Sequence, residues 1–408
     1  MEPPAQPCAA EVAWRHRALV EELKRKGCVQ TVAVEAALCA VPRHLFVPHV
    51  SIEEAYGDRV ISTKYIGDRL VSSASQPAMV ALMLEQLALE PGQRVLEVGT
   101  GSGYNAALMA HLVGEAGQVV SVELEPDLSE GARRHLDAAG FSRVRAVCGD
   151  GAAGYADAAP YDRIIITASA RDLAPAWWEQ LAPGGRLVVP FSMRPGLQAS
   201  LAFAHRGHHL ESCSAKPCMF MDLRGDAAAQ ERCERVGPHL SLLAAGGTTV
   251  DPQAVHALLE GPYEDRGSGV YFNGRDSAGV MALRMWLALQ ETELITILVE
   301  GQRRQAHYLD FFEQYALSDG LLEQGALALL WRLPRALWDH SFEAVVRCYG
   351  AEGRAAQRLL DGVQGWQAAG RPQLDDYGIR AYRRQVAPPL AEREALLARP
   401  WTDFVFGW

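Results

Sequence analysis

The stretch Val95-Leu96-Glu97-Val98-Gly99-Thr100-Gly101-Ser102-Gly103-Tyr104 places three glycines directly after a short apolar run. The apolar run predicts a buried strand from Arg94 to Val98, and the residues from Tyr104 to Val113 predict a helix. Glycine allows positive φ and a close approach of a ligand to the backbone. Amides at a helix N-terminus attract negatively charged groups. The stretch therefore predicts a strand, a ligand-binding glycine loop and a helix, in that order.

The residues that follow repeat this alternation of short apolar runs and helical stretches. Apolar and β-branched runs predict further strands at 119–123, 144–147, 163–167 and 186–190, and a helix is predicted over 128–139. Strands that alternate with helices imply parallel pairing. The predicted fold class is therefore α/β, with a doubly wound parallel sheet.

Acidic residues at the ends of these strands indicate which ligand the loop binds. A dinucleotide fingerprint, G-x-G-x-x-G, would need glycine at 104, where tyrosine stands, and this argues against a nicotinamide cofactor. Glu97 can meet a cationic amino-acid group, and Glu123 is placed to accept both hydroxyls of a ribose. Asp150, after the third strand, can accept from an adenine amino group. The three acids predict a pocket for ribose and adenine.

Outside this region the pattern predicts helices before the sheet and a mixed domain after it. Helices are expected over 9–26, over 32–38 with Thr31 as the cap, and from Gln76-Pro77 to Leu87. A boundary is expected near Asp226, so that residues 1–226 form a catalytic domain and 227–408 a smaller α+β domain. Its expected helices are 251–260, 351–369 and 390–398, and its expected strands are 293–299, 326–332 and 377–383.

Composition narrows the class of protein. At about 150 residues per domain, a chain of 408 residues predicts two or three domains. Hydrophobic residues make up 49% and charged residues 22%, which excludes general disorder. A net charge of −10 without long basic runs argues against nucleic acid as a partner. Eight scattered cysteines without a Cys-x-x-Cys pair predict reduced thiols, no metal site, and a cytoplasmic protein without signal peptide or membrane span.

Four motifs, taken together, resemble one enzyme family over roughly residues 10 to 226. They are Val41-Pro42-Arg43-His44-Leu45-Phe46-Val47-Pro48, Ser75-Gln76-Pro77, the glycine loop, and the run from Ala159 to Ala168, Ala-Pro-Tyr-Asp-Arg-Ile-Ile-Ile-Thr-Ala. The sequence resembles the protein-L-isoaspartate O-methyltransferases, a family of class I methyltransferases with a Rossmann-like sheet. The resemblance implies S-adenosylmethionine as the methyl donor.

The resemblance also implies roles for individual residues. Ser75 would be the catalytic serine, in a Ser73-Ala74-Ser75 triplet where the family usually has Thr-Ile-Ser. The implied donor site consists of Ser73, Glu97, Gly99, Thr100, Gly101, Ser102, Gly103, Glu123, Leu124, Asp150 and Gly151. The implied acceptor site consists of Thr167, Ala168 and Ser169. The departures from the family pattern, Ser169 among them, cluster around the acceptor pocket.

Three hypotheses for the function follow. The first is carboxyl methylation of isoaspartyl residues in aged proteins, a repair reaction in which the methyl ester closes to a succinimide. The second is methylation of one designated aspartate in a ribosomally made peptide, with residues 227–408 recognising that peptide. The third is a non-catalytic scaffold that binds S-adenosylmethionine. The sequence leaves the substrate and the oligomeric state open.

Overall fold

The computed structural model describes residues 8–228, 232–244, 250–274, 276–300, 310–311, 315–323, 325–334, 341–351 and 353–408. The chain forms two compact units. The first comprises Met1–Pro190, Ser200–Ser214 and Phe220–Ala228, and the second comprises Phe191–Ala199, Ala215–Met219 and Ala229–Trp408. The chain therefore passes between the units several times, and independent folding of residues 1–226 and 227–408 stays a prediction.

The elements that precede residue 229 belong to the first unit, except for the segments Phe191–Ala199 and Ala215–Met219. Its helices are α1 (Ala9–Arg25), α2 (Val32–Ala40), α3 (Ile52–Ala55), α4 (Pro77–Leu87), α5 (Tyr104–Val113), α6 (Pro126–Ala138) and α7 (Pro175–Gln180). Its strands are β1 (Ile61–Ile66), β2 (Arg69–Ala74), β3 (Arg94–Val98), β4 (Gln118–Glu123), β5 (Arg145–Cys148) and β6 (Tyr161–Ile166), followed by β7 (Leu181–Arg194), β8 (Leu197–His205) and β9 (Leu210–Pro217), which extend into the second unit. Strands β1 and β2 form a separate antiparallel hairpin.

The main sheet of the first unit confirms the predicted α/β fold class. Its strands follow the order β9-β8-β7-β6-β3-β4-β5, and β3 pairs in parallel with β4 and with β6. Strands β4 and β5, and β6 and β7, are parallel as well. Because the carboxyl ends of parallel strands meet at one edge, the loops after β3, β4, β5 and β6 are brought together there.

The helices of the first unit pack their apolar faces against the sheet. The core of the first unit joins buried residues of α1, α2, α4 and α5 to those of β3, β6 and β7. Thr31 caps α2, as predicted, because its hydroxyl accepts a hydrogen bond from the amide of Val34. Pro77 occupies the first turn of α4, also as predicted. No helix in the described ranges is both long enough and apolar enough to cross a membrane.

The second unit is an α+β structure. Its helices are α8 (Pro252–Leu259), α9 (Ser277–Gln290) and α10 (Arg354–Ala368). Its strands are β10 (Arg232–Gly237), β11 (Leu240–Ala244), β12 (Tyr263–Phe272), β13 (Ile295–Glu300), β14 (Asp310–Phe311), β15 (Tyr315–Glu323), β16 (Ala326–Pro334), β17 (Phe342–Gly350), β18 (Gly378–Arg383), β19 (Glu394–Ala398) and β20 (Thr402–Gly407). Seven of the strands follow one another in the order β10-β11-β13-β15-β16-β17-β12, and β14 pairs with β15.

One predicted element of this unit is wrong. The stretch 390–398, which has the composition of a helix, instead ends in strand β19, and this strand pairs antiparallel with β20. Arg393 has a φ of 63°, a conformation that interrupts a right-handed helix. Pairing with β20 therefore overrides the helix propensity of the alanine, glutamate and leucine residues.

Candidate active site

The Thr167 side chain forms hydrogen bonds with the backbone at the start of the glycine loop. The Thr167 hydroxyl lies 3.0 Å from the carbonyl oxygen of Val98 and 2.7 Å from that of Gly99. A β-carbon on Gly99 would stand 2.4 Å from the same hydroxyl oxygen, and Gly99 has a φ of 98°. Only glycine fits this position, because the space and the backbone conformation both exclude a side chain. The structure thus brings the loop and the predicted acceptor residue Thr167 together.

Glu123, at the end of β4, holds the other side of the loop. One oxygen of its carboxylate accepts a hydrogen bond from the Gly101 amide at 2.9 Å, and the other accepts one from the Glu125 amide at 3.2 Å. The residue is only 7% exposed. Carboxylate oxygens have further lone pairs, so this geometry leaves capacity for hydroxyl donors. Leu124, the next residue, is half-buried.

Glu97, at the end of β3, lies in the interior. Its carboxylate accepts hydrogen bonds from Asn105 at 2.7 Å and from the Ser121 hydroxyl at 2.5 Å, and the Thr100 hydroxyl lies 2.6 Å from that of Ser121. Burial raises the pKa of Glu97 to about 7, and the charge of Glu123 acts in the same direction. The two hydrogen bonds oppose this shift. A contact between Glu97 and a cationic group of the donor stays a prediction.

The remaining loop residues shape the start of α5. Gly103 is the N-cap of the helix and has a φ of 88°. A β-carbon at this residue would lie 3.3 Å from the carbonyl oxygen of Ala132. The carbonyl of Ser102 accepts a hydrogen bond from the His135 ring at 3.0 Å. A small cavity of about 120 Å³ lies beside Gly101 and Ser102 on this side of the loop.

Asp150 and Gly151 stand at the next strand end. One oxygen of Asp150 accepts from the Ala152 amide at 2.8 Å, and the other accepts from the Asp226 amide at 2.7 Å. The Gly151 carbonyl accepts from the indole of Trp177 at 2.9 Å. Asp226 belongs to the return segment, Phe220–Ala228, by which the chain re-enters the first unit. Asp150 therefore fixes the return segment through this hydrogen bond. Its predicted role in adenine recognition stays a prediction.

The return segment also pairs with the predicted acceptor residues. The amide of Ser169 donates to the Met221 carbonyl, and the amide of Leu223 donates to the Ser169 carbonyl, both at 2.8 Å. Ala168, between Thr167 and Ser169, is half-buried. Ser169 is 2% exposed, and its hydroxyl has no hydrogen-bond partner within the described residues. The acceptor side of the site is thus bordered by this segment.

The serines of the Ser73-Ala74-Ser75 triplet reach the site through β2. A β-carbon on Gly101 would lie 3.7 Å from the Ser73 carbonyl oxygen, so β2 runs in van der Waals distance of the glycine loop. Ser75 follows the end of β2 directly, precedes α4 and is half-buried. The predicted catalytic serine and the predicted donor loop therefore lie in one region of the first unit.

Sequence reasoning missed a group of charged residues around Glu125. Lys64 of β1 lies 2.8 Å from Glu125 and 2.5 Å from Asp127, and Arg224 of the return segment lies 2.5 Å from Glu125. The Lys64 and Arg224 hydrogen bonds lower the pKa of Glu125. These pairs join the hairpin, the loop after β4 and the return segment. No short sequence pattern could have revealed them, because the partners are far apart in the chain.

Comparison with known proteins shows the family of the chain. The family model described as protein-L-isoaspartate(D-aspartate) O-methyltransferase matches residues 14–228. A protein-L-isoaspartate O-methyltransferase of Hyperthermus butylicus is 42% identical over 223 residues, which are 53% of this chain and 90% of the relative. One of Methanothrix thermoacetophila is 43% identical over 211 residues, 52% of this chain and 95% of the relative. The chain belongs to the protein-L-isoaspartate(D-aspartate) O-methyltransferase family.

Membership of this family makes the chain an S-adenosylmethionine-dependent methyltransferase. The loop around Gly99, with no room for a side chain at that residue, and the carboxylate of Glu123 fit such a donor. A solved structure named protein-L-isoaspartate O-methyltransferase covers 90% of this chain and 96% of its own, with a TM-score of 0.51 and 23% identity. The similarity in fold therefore continues beyond residue 228.

We expect Gly99→Ala to abolish donor binding, because the new methyl group would displace the Thr167 hydroxyl from both of its carbonyl partners. Gly92→Ala is the matched control, since Gly92 also has a positive φ, 85°, but has no atom near its missing β-carbon. Both substitutions carry the backbone penalty of about 1–2 kcal/mol. Calorimetry with S-adenosylhomocysteine should show binding by Gly92→Ala only. Equal binding by the two variants would contradict the assignment of the loop.

We expect the ligand-free protein to lose stability as pH rises from about 4.5 to 7 through the titration of Glu97. The pKa is about 7 in the folded protein and about 4.3 in an unfolded chain, so the folded state binds the extra proton in this window. Stability from this group is fully present below the window and lost above it, by roughly 3 kcal/mol. Urea unfolding at pH 5 and 8 measures this. The stability of Glu97→Gln relative to wild type should be higher at pH 8 than at pH 5. Parallel pH curves for the two proteins would refute this.

Proposed function

We propose that the protein methylates the free carboxylate of isoaspartyl residues in damaged proteins, with Ser75 orienting the acceptor. The convergence of β2, which leads into Ser75, with the Gly99 loop and Thr167 carries this proposal. The donor site consists of the loop residues 99–103 with Ser73, Glu97, Glu123, Leu124, Asp150 and Gly151. The acceptor site is formed by Ser75 with Thr167, Ala168 and Ser169.

The main task of the protein in this reaction is to position the acceptor carboxylate and the methyl donor. S-adenosylmethionine supplies an electrophilic methyl group on a sulfonium. The acceptor carboxylate is ionised at pH 7, since its pKa is about 4, and Ser75 therefore has no proton to remove. Its hydroxyl donates a hydrogen bond to one carboxylate oxygen and leaves the other free to be methylated. Alignment of the reactants and exclusion of water supply the rate.

The ester then reacts without further help from the enzyme. The backbone nitrogen of the following residue attacks the ester carbonyl, methanol leaves, and a succinimide forms. Hydrolysis of the succinimide yields aspartyl and isoaspartyl products. Because any isoaspartyl site can follow this route, the proposed activity needs recognition of the isopeptide geometry and not of one sequence.

We infer that the second unit contributes to the selection of protein substrates. The residues proposed for donor and acceptor binding all lie in the first unit. The second unit has a cavity of about 270 Å³, lined among others by Tyr263, Arg266 and Tyr349. Aromatic rings and an arginine are side chains commonly used to bind peptides. A similar fold over this region occurs in the solved structure named protein-L-isoaspartate O-methyltransferase, so the region alone does not favour the peptide-biosynthesis hypothesis.

We place the activity in the cytoplasm. All eight cysteines are free thiols, as expected in a reducing compartment. The net charge of −10 supports protein, and not nucleic acid, as the macromolecular substrate.

We expect Ser75→Ala to lower kcat on an isoaspartyl peptide by about 10- to 1,000-fold. The Kd for S-adenosylhomocysteine should change little, because the lost hydrogen bond serves the acceptor. Ser142→Ala, at an exposed position between α6 and β5, is the control and should keep full activity. An unchanged kcat in Ser75→Ala would leave Ser75 without the proposed role.

The same assay separates repair from peptide biosynthesis. Several isoaspartyl peptides of unrelated sequence are compared with their aspartyl counterparts, and methyl transfer is followed with labelled donor. Repair predicts transfer to every isoaspartyl peptide and to none of the aspartyl ones. Transfer confined to one aspartyl sequence would support the biosynthetic hypothesis instead.

A further inference from the structure

A carboxylate distant in sequence contacts the segment that follows Ser75. One oxygen of Asp58 accepts a hydrogen bond from the Ala78 amide at 2.9 Å. The other accepts from the Gln76 side-chain amide at 3.2 Å, and the same amide nitrogen lies 3.3 Å from the Asp58 carbonyl oxygen. Asp58 thus bonds to both the side chain and the backbone of the chain just after Ser75.

These bonds replace a missing local cap on α4. The N-cap residue, Gln76, makes no capping hydrogen bond of its own, and Pro77 has no amide hydrogen to offer. The Ala78 amide is therefore the first one available at this helix end, and Asp58 satisfies it from 20 residues upstream. A negative charge at a helix N-terminus also interacts favourably with the helix dipole. The start of α4 depends on Asp58.

The Asp58 carboxylate also forms an ion pair with Lys26. The two side chains differ in their exposure to solvent. The Asp58 side chain is 3% exposed, whereas Lys26, at 2.7 Å from it, is 45% exposed. Lys26 also contacts Glu22. Solvent screens the attraction of the exposed Lys26 for Asp58, and the two amide hydrogen bonds fix the position of the buried carboxylate. Removing Lys26 should consequently leave the Asp58–Gln76–Ala78 arrangement in place.

We propose that Asp58 is a positioning residue for methyl transfer, holding Ser75 at the acceptor carboxylate by fixing Gln76 and the first turn of α4. This inference rests on the role proposed above for Ser75. Ser75 lies between β2, which runs along the glycine loop, and the part of the chain that Asp58 fixes. Without Asp58, the hydroxyl is held from one side only, and a displacement of about 1 Å is enough to reduce a rate by about 100-fold.

The variants Asp58→Ala and Gln76→Leu test this, with two controls. Lys26→Gln removes the ion pair but keeps both hydrogen bonds. Asp162→Ala removes a comparable long-range bond, from the Arg94 amide at 2.8 Å, at the amino end of β3, away from the site. We expect Asp58→Ala to lower kcat by about 10- to 100-fold and to change the Kd for S-adenosylhomocysteine less than about 3-fold. Both controls should keep kcat within about 2-fold of wild type.

The double variant Asp58→Ala/Gln76→Leu adds a test of coupling. If the two residues act through one contact, their effects should not add. The kcat of the double variant should then be no more than about 3-fold below that of the less active single variant. Should Asp58→Ala fail to fold, Asp58→Asn replaces it, since its side-chain oxygen still accepts from Ala78, and a smaller loss in the same direction is expected. Unchanged kcat in the Asp58 variants, or an equal loss in Asp162→Ala, would overturn the proposal.

Hydrogen exchange tests the positioning without any substrate. The amides of Gln76, Ala78 and Met79, where they exchange measurably, should exchange faster in Asp58→Ala than in Lys26→Gln or wild type, while the α5 amides stay unchanged. Unaltered exchange at Gln76, Ala78 and Met79 would overturn the proposal regardless of the kinetics. If wild-type protein does not methylate isoaspartyl peptides at all, the proposed function fails, and exchange still decides whether Asp58 fixes this segment.

Discussion

The contact between Gly99 and the Thr167 hydroxyl is the constraint on which the site depends. Thr167 follows β6, Gly99 follows β3, and the parallel register of these strands sets Val98 beside Ile166. The hydroxyl then bonds to the Val98 and Gly99 carbonyls, which leaves no space for a side chain on Gly99. Gly99 therefore presents only backbone, and a ligand can approach it closely.

Charged groups arranged around this loop connect segments that are distant in sequence. Glu123 holds the loop from β4, and Glu125, two residues on, holds both Lys64 and Arg224. The hairpin and the return segment are thereby attached to the same strand end. Because Lys64, Glu125 and Arg224 are each less than 25% exposed at the side chain, solvent screens these pairs less than ordinary surface pairs.

The sequence predicted the parts of the fold that local patterns encode. The strands 94–98 and 119–123 and the helices starting at Val32 and Pro77 were predicted to within a residue or two, because caps, proline and apolar periodicity act within a few residues. Helix α9 and the β1–β2 hairpin were missed, since α9 is apolar on nearly all sides and the hairpin is defined by pairing. The helix expected over 390–398 is wrong because pairing with β20 decides that conformation.

Site residues follow the same division between local and distant contacts. Glycines and acids at strand ends were predicted because they lie in or directly after the last residues of their strands, whereas Asp58 acts on a segment 20 residues away. We propose that Ser75 and the Gly99 loop jointly hold acceptor and donor. A crystal structure with S-adenosylhomocysteine and an isoaspartyl peptide measures this most directly. We expect the Ser75 hydroxyl within about 3 Å of the isoaspartyl carboxylate and the thioether beside Gly99. A peptide bound away from Ser75 would contradict it.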